Sequence, residues 1–336
     1  MKETIPKIMQ AVELDEPNGD LSVQHVPVPA PKSGEVLVRM RAAPINPSDL
    51  GSLTNSHAYG ERIYPFIPGI EGSGRVVGAG KGALPKILKG RRVACASTIP
   101  NGGTWAEFMV TSARRCVPLR KNIRYEQGAM LLVNPLSALA IFDQVKSGKH
   151  RAIVSTAAAS ALGGMILKLG KRFHIPVIHI VRRQEQVEMV RNRGAKHVLN
   201  SSDNDFIDQL REISHQLEAT YFLDAIGGEM TQQLAESAPY KSTIVLYSNL
   251  SLQSSVINPI TALAKHLRFE GWFLSNWTKE KNPLQALLLA RQAQLLLDKD
   301  LHTPIYKTYQ LDDIQQALTE YIHNMSAGKI LLKMTP

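Results

Sequence analysis

Between residues 151 and 183 the chain reads RAIVSTAAASALGGMILKLGKRFHIPVIHIVRR, and its apolar positions change period twice. An apolar run at 152–154 enters a small-residue stretch at 155–164. Leu162, Ile166 and Leu169 then recur at i, i+4 and i+7, and a second run comes at 177–181. Short apolar runs flanking a helical period predict two buried strands joined by a helix, a β-α-β unit. Before this unit the grammar is different. From Gln10 to Met40 apolar and polar positions alternate in AVEL, LSVQHVPVP and EVLVRMRAA, punctuated by prolines, which predicts strands of a largely antiparallel β region. Turns are expected at 17–20 and 31–34. An irregular stretch covers 45–74, and strands return at 74–78, 91–96 and 105–110.

From about residue 122 helical spacing takes over, and strands and helices alternate after Arg151. Later strands are predicted at HVLN (197–200), ATYFLDAIGG (219–228), STIVLYSN (242–249) and HLRFEGWFL (266–274). Helices are predicted near 205–217, 230–238, 259–265 and 281–298. This alternation predicts a doubly wound parallel sheet. The tail, YKTYQLDDI, QQALTEYIHN and GKILLKM, predicts strand, helix, strand. The fold class expected is therefore α/β, with a doubly wound sheet beside a mostly antiparallel β domain. The chain shows no internal repeat and no low-complexity segment.

The turn at 155–164 carries candidate chemistry. With Gly163 as the third glycine of G-x-G-x-x-G, Ala158 and Ser160 occupy the first two places. Small residues still let backbone approach a pyrophosphate, and a helix N-terminus supplies amide hydrogens and a positive dipole end. Nineteen residues after Gly163, where an NAD enzyme places an acid for the ribose hydroxyls, stand Arg182 and Arg183. No acid occurs in 177–184, and an arginine there suits a 2′-phosphate. The expected cofactor is NADPH rather than NADH.

The 336 residues suffice for two domains. No run approaches eighteen apolar residues and the N-terminus lacks a charged-then-apolar signal, so a soluble, cytoplasmic protein with no membrane partner is expected. Cys95 and Cys116 provide neither a disulfide framework nor a four-cysteine zinc lobe. The net charge of +10 gathers at Lys89, Arg91 and Arg92, at Arg114, Arg115, Arg120 and Lys121, and at Lys146, Lys149, His150 and Arg151. No basic run is interleaved with aromatics, so nucleic acid is not the expected partner. An anionic cofactor and an anionic substrate carrier account for the sign equally well.

Several motifs together carry a resemblance. They are INPSD (45–49) followed by Tyr59-Gly60, then Gly103-Thr104-Trp105, NPLSA (134–138), the strand end at Arg182 and Arg183, Gly227-Gly228, and GWFLSNW (271–277). With this β domain first, nucleotide domain second and a closing GKILLKM, the chain resembles the zinc-free medium-chain dehydrogenase/reductase superfamily. Within it the chain looks like the quinone oxidoreductases and the mitochondrial-type 2-enoyl thioester reductases. GWFLSNW leans toward the latter. The catalytic zinc ligands of related branches are not matched: the loop 46–49 has no cysteine, and Ile70 stands where a G-H-E motif has histidine. No metal is expected.

The resemblance implies a GroES-like catalytic domain over residues 1–123, a Rossmann NADPH-binding domain over 124–298, and a return segment, 299–336, that completes the first. It implies a cofactor between the two domains, touched by Ser137, by Ser160, Ala161, Leu162 and Gly163 under the pyrophosphate, and by Tyr247 and Ser248 on the adenosine side. Phe273 and Leu274 would reach the nicotinamide through backbone. It implies a catalytic Tyr59, whose phenol would stabilise an enolate or protonate it, and an Asn46 that hydrogen-bonds substrate or ribose. Tyr59 sits farther from INPSD than in the family, which makes Tyr64 its rival for the substrate pocket. Trp272 and Trp277 would wall an acyl site. Asp49 is also read as a helix N-cap.

The activity implied is NADPH-dependent reduction of an activated C=C bond such as an enoyl thioester. The small-molecule substrate would be carried by CoA or an acidic acyl carrier protein. A quinone or enone acceptor is the alternative, and a non-catalytic, crystallin-like NADPH- or RNA-binding protein is a third. Pairing through the edge strand near 267–273 implies a homodimer.

Overall fold

The computed structural model describes residues 4–54, 62–98 and 102–334. Its first elements are β1 (Ile8–Leu14), β2 (Leu21–Pro27), β3 (Glu35–Pro44), α1 (Pro47–Leu53), β4 (Glu71–Ala79), α2 (Ala83–Leu88), β5 (Arg92–Ala96), β6 (Phe108–Ser112), β7 (Cys116–Pro118) and α3 (Tyr125–Ala129). Next come α4 (Asn134–Ser147), β8 (Ala152–Ser155), α5 (Ala161–Phe173), β9 (Val177–Val181), α6 (Gln184–Asn192), β10 (His197–Asn200), α7 (Phe206–Gln216), β11 (Ala219–Asp224), α8 (Glu229–Ser237), β12 (Thr243–Leu246), α9 (Pro259–Lys265) and β13 (Arg268–Gly271). The last are α10 (Leu274–Lys279), α11 (Pro283–Leu296), β14 (Ile305–Tyr309), α12 (Ile314–His323) and β15 (Lys329–Lys333). The chain divides into two compact units, Met1–Val133 with Ala290–Pro336, and Asn134–Leu289.

The first unit is built on a seven-stranded sheet ordered β14-β15-β3-β4-β5-β7, with β6 also pairing β3, beside the antiparallel hairpin β1-β2. All its pairs are antiparallel except β14-β15, which the α12 crossover makes parallel. Alternation along β3 sends Val36, Val38 and Met40 into one core with Val93, Trp105, Met109 and Leu332. The C-terminal strand returns to the start of the domain. β15 lies antiparallel to β3 with Leu331 opposite Pro44 and Leu332 opposite Ala43, which brings Lys329 to the residues just after β3.

The second unit is a six-stranded, wholly parallel sheet ordered β10-β9-β8-β11-β12-β13. Counted within the unit this is strand order 3-2-1-4-5-6, the doubly wound arrangement with its switch point between β8 and β11. Every residue of β8 and β9 is buried, as central parallel strands covered on both faces require. In α5, Leu162, Met165, Ile166 and Leu169 form the buried stripe, and His174, in the left-handed region at φ 57°, ends the helix. No helix among the described residues is long and apolar enough to cross a membrane.

Two stretches differ from the sequence pattern. The irregular 45–74 segment contains α1, started by Pro47 at its first turn, where the missing amide hydrogen costs nothing. The strand predicted over 266–274 stops at Gly271. Its one neighbour among the described residues, β12, ends at Leu246, whose carbonyl takes the last bond, from Trp272 N–H at 2.8 Å, and Phe273 then opens α10. A strand with a single neighbour ends where that neighbour does.

Phe222, fully buried in β11 at the centre of the parallel sheet, tests the second core. Phe222→Ala is expected to cost about 3–5 kcal/mol. Denaturant unfolding reads this as a lower midpoint at unchanged slope.

Candidate functional site

In the second unit the turn between β8 and α5 is tight because its residues are small. Ala157 takes the left-handed region at φ 48°, and Ser160 caps α5 with its Oγ accepting from Gly163 N–H at 3.1 Å. A Cβ on Gly163 would stand 2.4 Å from the Ala158 carbonyl oxygen, so glycine is required there for close approach. Ala161 is half-buried and Leu162 buried at the first turn of the helix. The amide hydrogens of this turn are a ready cradle for a phosphate.

At the end of β9 both Arg182 and Arg183 are exposed. The Arg182 backbone is fixed at both ends: its N–H donates to Gln186 Oε1 at 3.2 Å, and its carbonyl accepts from Ser202 Oγ at 2.8 Å. Arg183 pairs with Glu185 in solvent. Tyr247 and Ser248, half-buried, come directly after β12, and burial together with nearby Asp224 pushes the Tyr247 phenol up. Trp272, exposed Phe273 and half-buried Leu274 come directly after β13. These residues therefore share the carboxyl ends of the parallel strands, where open α/β sheets bind ligands. Ser137 is buried in the first turn of α4. The buried indole N–H of Trp272 has no partner among the described residues, whereas Trp277 is buried with Lys281 Nζ 4.3 Å from its ring centroid. Small-residue turn, exposed arginine pair and unpartnered donor all fit a phosphorylated dinucleotide.

In the first unit three ionisable side chains are buried together. Asn46, 1% exposed, precedes α1. Its Nδ2 donates to Glu71 Oε1 at 3.1 Å, and its Oδ1 accepts from Lys329 Nζ. Lys329 Nζ also donates to the Ile45 carbonyl at 3.0 Å. The other Glu71 oxygen accepts from Leu132 N–H at 3.0 Å and Val133 N–H at 2.9 Å. Asp49 accepts from Asn46 N–H at 2.7 Å and Ile70 N–H at 2.9 Å. Asp49 is thus not the N-cap of α1: it stands at the third helical position and reaches back to the residue that is. Burial pushes Asp49 and Glu71 up to about 7, against the pull of Lys329, and pushes Lys329 down to about 8. Sequence reasoning missed Glu71 and Lys329 as site residues. The available signal was a charge inside an apolar run, in GIEGSG and in GKILLK.

Tyr59 lies outside the described residues. Tyr64 is half-buried and meets Phe66 edge to face, with ring centroids 6.4 Å apart. A zinc ion does not fit the donors present. Both Asp49 oxygens and both Glu71 oxygens already accept hydrogen bonds, Ile70 offers no ligand atom, and no cluster of three His, Cys, Asp or Glu exists among the described residues.

This fold and these sites define a class. Residues 32–121 match the alcohol dehydrogenase GroES-like domain and residues 161–290 the zinc-binding dehydrogenase model. The chain belongs to the medium-chain dehydrogenase/reductase superfamily, a family of oxidoreductases. It is 32% identical to a Mesorhizobium loti protein described as a candidate NADPH:quinone reductase, over 98% of this chain and 100% of that one, with a TM-score of 0.87. It is 24% identical to the mitochondrial enoyl-acyl-carrier-protein reductase of Homo sapiens, covering 94% of this chain and 85% of the relative. With the quinone oxidoreductase of Rattus norvegicus it shares 25% identity, over 97% and 98% of the two chains.

The raised Glu71 carboxyl has a signed consequence. Between its ordinary value, near 4.5, and about 7 the folded chain holds a proton that the unfolded chain has released, so this contribution to stability falls as pH rises through that window. Lys329 acts oppositely above about 8, where the unfolded chain alone keeps its proton. A glutamine at position 71 never carries the buried charge. The stability gap between wild type and Glu71→Gln is therefore expected to narrow from about pH 5 to about pH 8 in denaturant unfolding. A constant gap would contradict the raised carboxyl.

Proposed function

We propose that this protein is an NADPH-dependent reductase of an activated C=C bond, with an enoyl thioester as its substrate class. The observation that carries the cofactor reading is the exposed pair Arg182 and Arg183 at the end of β9, with no acid in 177–184 to take the ribose hydroxyls. The name of the human relative and the GWFLSNW segment support the thioester. The Mesorhizobium loti relative supports a second reading, a quinone acceptor.

When bound, NADPH supplies the hydride, delivered to Cβ of the enoyl thioester. The remaining work falls to the chain. Gly163 and the α5 N-terminus cradle the diphosphate, Arg182 pairs with the 2′-phosphate, and Ser137, Tyr247 and Ser248 line the approach to the nucleotide. Phe273 and Leu274 offer backbone to the nicotinamide. The electrons of the C=C bond move onto the thioester oxygen as an enolate, and a phenol, Tyr59 or its rival Tyr64, stabilises that oxygen or protonates Cα. Trp272 and Trp277 supply apolar wall for the acyl chain. The exposed bases Lys89, Arg91, Arg114, Arg115, Arg120 and Lys121 would draw an acidic acyl carrier protein by electrostatic steering. A cytoplasmic location is part of the same proposal.

Turnover decides between the acceptors. NADPH oxidation is expected with a medium-chain trans-2-enoyl-CoA and only weakly with a simple quinone, and NADH is expected to be the poorer donor. Arg182→Ala should raise KM for NADPH about tenfold while leaving NADH unchanged. Tyr59→Phe should lower enoyl-CoA turnover about a hundredfold. Turnover of quinone alone, unaffected by Tyr59→Phe, would replace the thioester reading, and equal use of NADH would remove the role given to Arg182.

The homodimer is proposed through β13, which has β12 as its neighbour in the parallel sheet, with Ile260 and Leu263 exposed on the helix before it. Light scattering at working concentration should give about twice the chain mass. A monomer would rule the pairing out.

A further inference from the structure

Four segments far apart in sequence meet around the Asn46–Glu71 pair: the residues just after β3, the start of β4 at Glu71, the stretch before α4 at Leu132 and Val133, which bond Glu71, and the start of β15 at Lys329, which bonds Asn46. The hydrogen bonds run one way. Lys329 has only donors to give and meets Asn46 Oδ1. Asn46 Nδ2 donates onward to Glu71 Oε1, and the Glu71 carboxylate accepts from two backbone N–H groups. The oxygen and nitrogen of a side-chain amide occupy similar space, so its hydrogen-bond partners decide its orientation. Here a flip would set NH₂ against an ammonium and a carbonyl against a carboxylate, so a single orientation survives. Asp49 completes the fixture by binding the Asn46 and Ile70 amide hydrogens.

We propose that Glu71 and Lys329 are positioning residues, which act by locking the Asn46 amide in one orientation and so fix the INPSD turn for the reaction. The turn is where α1 begins, and the sequence after α1 leads to Tyr59. Glu71 also ties this turn to Val133, the last residue of the first unit before the chain passes into α4. In this arrangement Asn46 is the middle member of a polar chain, held by a cation on one side and an anion on the other. The proposal rests on the reductase reading above, and its test separates the two.

The chain of donors and acceptors can be inverted without changing its charge. Asn46→Asp puts an acceptor where Nδ2 donated, facing the Glu71 carboxylate. Glu71→Gln puts a donor where Oε1 accepted, facing Asn46 Nδ2. Either change alone sets like against like. Together they match again: the new carboxylate accepts from Lys329 and from the new amide NH₂, while the new amide oxygen accepts from Leu132 and Val133 N–H.

Each single variant is expected to lower kcat about tenfold or more with the Kd for NADPH within about twofold, and the double variant to lose at least about tenfold less than the product of the two single losses. Hydrogen exchange at Ile70, Leu132 and Val133, followed by mass spectrometry without substrate, should quicken in each single variant and slow again in the double. Should a single variant fail to fold, recovery of cooperative unfolding and of amide protection in the double reads the same rescue. Lys329→Met should slow turnover in the wild-type and the double backgrounds alike. A double variant as impaired as the product of the singles, or singles at wild-type kcat, would overturn the proposal. Wild type that reduces no acceptor would instead sink the reductase reading, leaving the exchange data to report on the lock itself.

Discussion

A protein interior that buries two carboxylates and one ammonium must place every polar atom of the three, because each one left unpaired costs several kcal/mol. In the first unit that requirement falls on Asp49, Glu71 and Lys329, and it is met largely by backbone: Ile45 carbonyl and the amide hydrogens of Asn46, Ile70, Leu132 and Val133. The sheet order reflects the same need. β15 must lie against β3 for Lys329 to reach Asn46, so the last strand of the chain is bound to the first half of the domain by charge as well as by Leu331 and Leu332. Buried ion pairs are weak contributors to stability, since desolvation offsets attraction. Their value lies in uniqueness, because a slip of β15 by one residue would bury no cation beside Glu71 and turn Lys329 to the other face.

The second unit solves a different problem. A parallel sheet leaves amide donors and small residues at its carboxyl edge, and the β8–α5 turn uses them with one glycine at the point of closest approach. Ala158 and Ser160 replace the two earlier glycines. Ser160 compensates by capping the helix through Gly163 N–H, and the strained conformation falls on Ala157 instead. The turn stays narrow because its side chains are small, whatever their identity.

Period explains what was legible in the sequence. The 152–181 stretch announced strand, helix and strand because fully buried parallel strands and an amphipathic helix differ so plainly in spacing, and α7, α8 and α9 fell within a residue or so of their patterns. The end of β13 was not legible, since it is set by where β12 stops and not by GWFLSNW itself. The polar network was illegible for a related reason. Glu71 and Lys329 each look like a stray charge in an apolar run, and only the β15-β3 register, a pairing between residues nearly three hundred positions apart, makes them partners. Periodicity sees neighbours along the chain, and this site is assembled across it.

The same network leaves no donor set for zinc at this turn among the described residues. Two carboxylates in a dry interior require a cation, which a metal can supply only with a set of further donors around it. Ile70 offers none, and the aspartate of INPSD spends both carboxylate oxygens on backbone amide hydrogens. Lys329 supplies the positive charge with three donors and no demand for a coordination sphere. Burial, offset only in part by the one ammonium and the backbone amide hydrogens, is why both carboxyls sit near the physiological range and not far below it. A side-chain cation holds the turn in one geometry while leaving no Lewis acid in it, so any oxyanion formed in the reaction must be met by a hydrogen-bond donor. That constraint is what turns attention to a phenol.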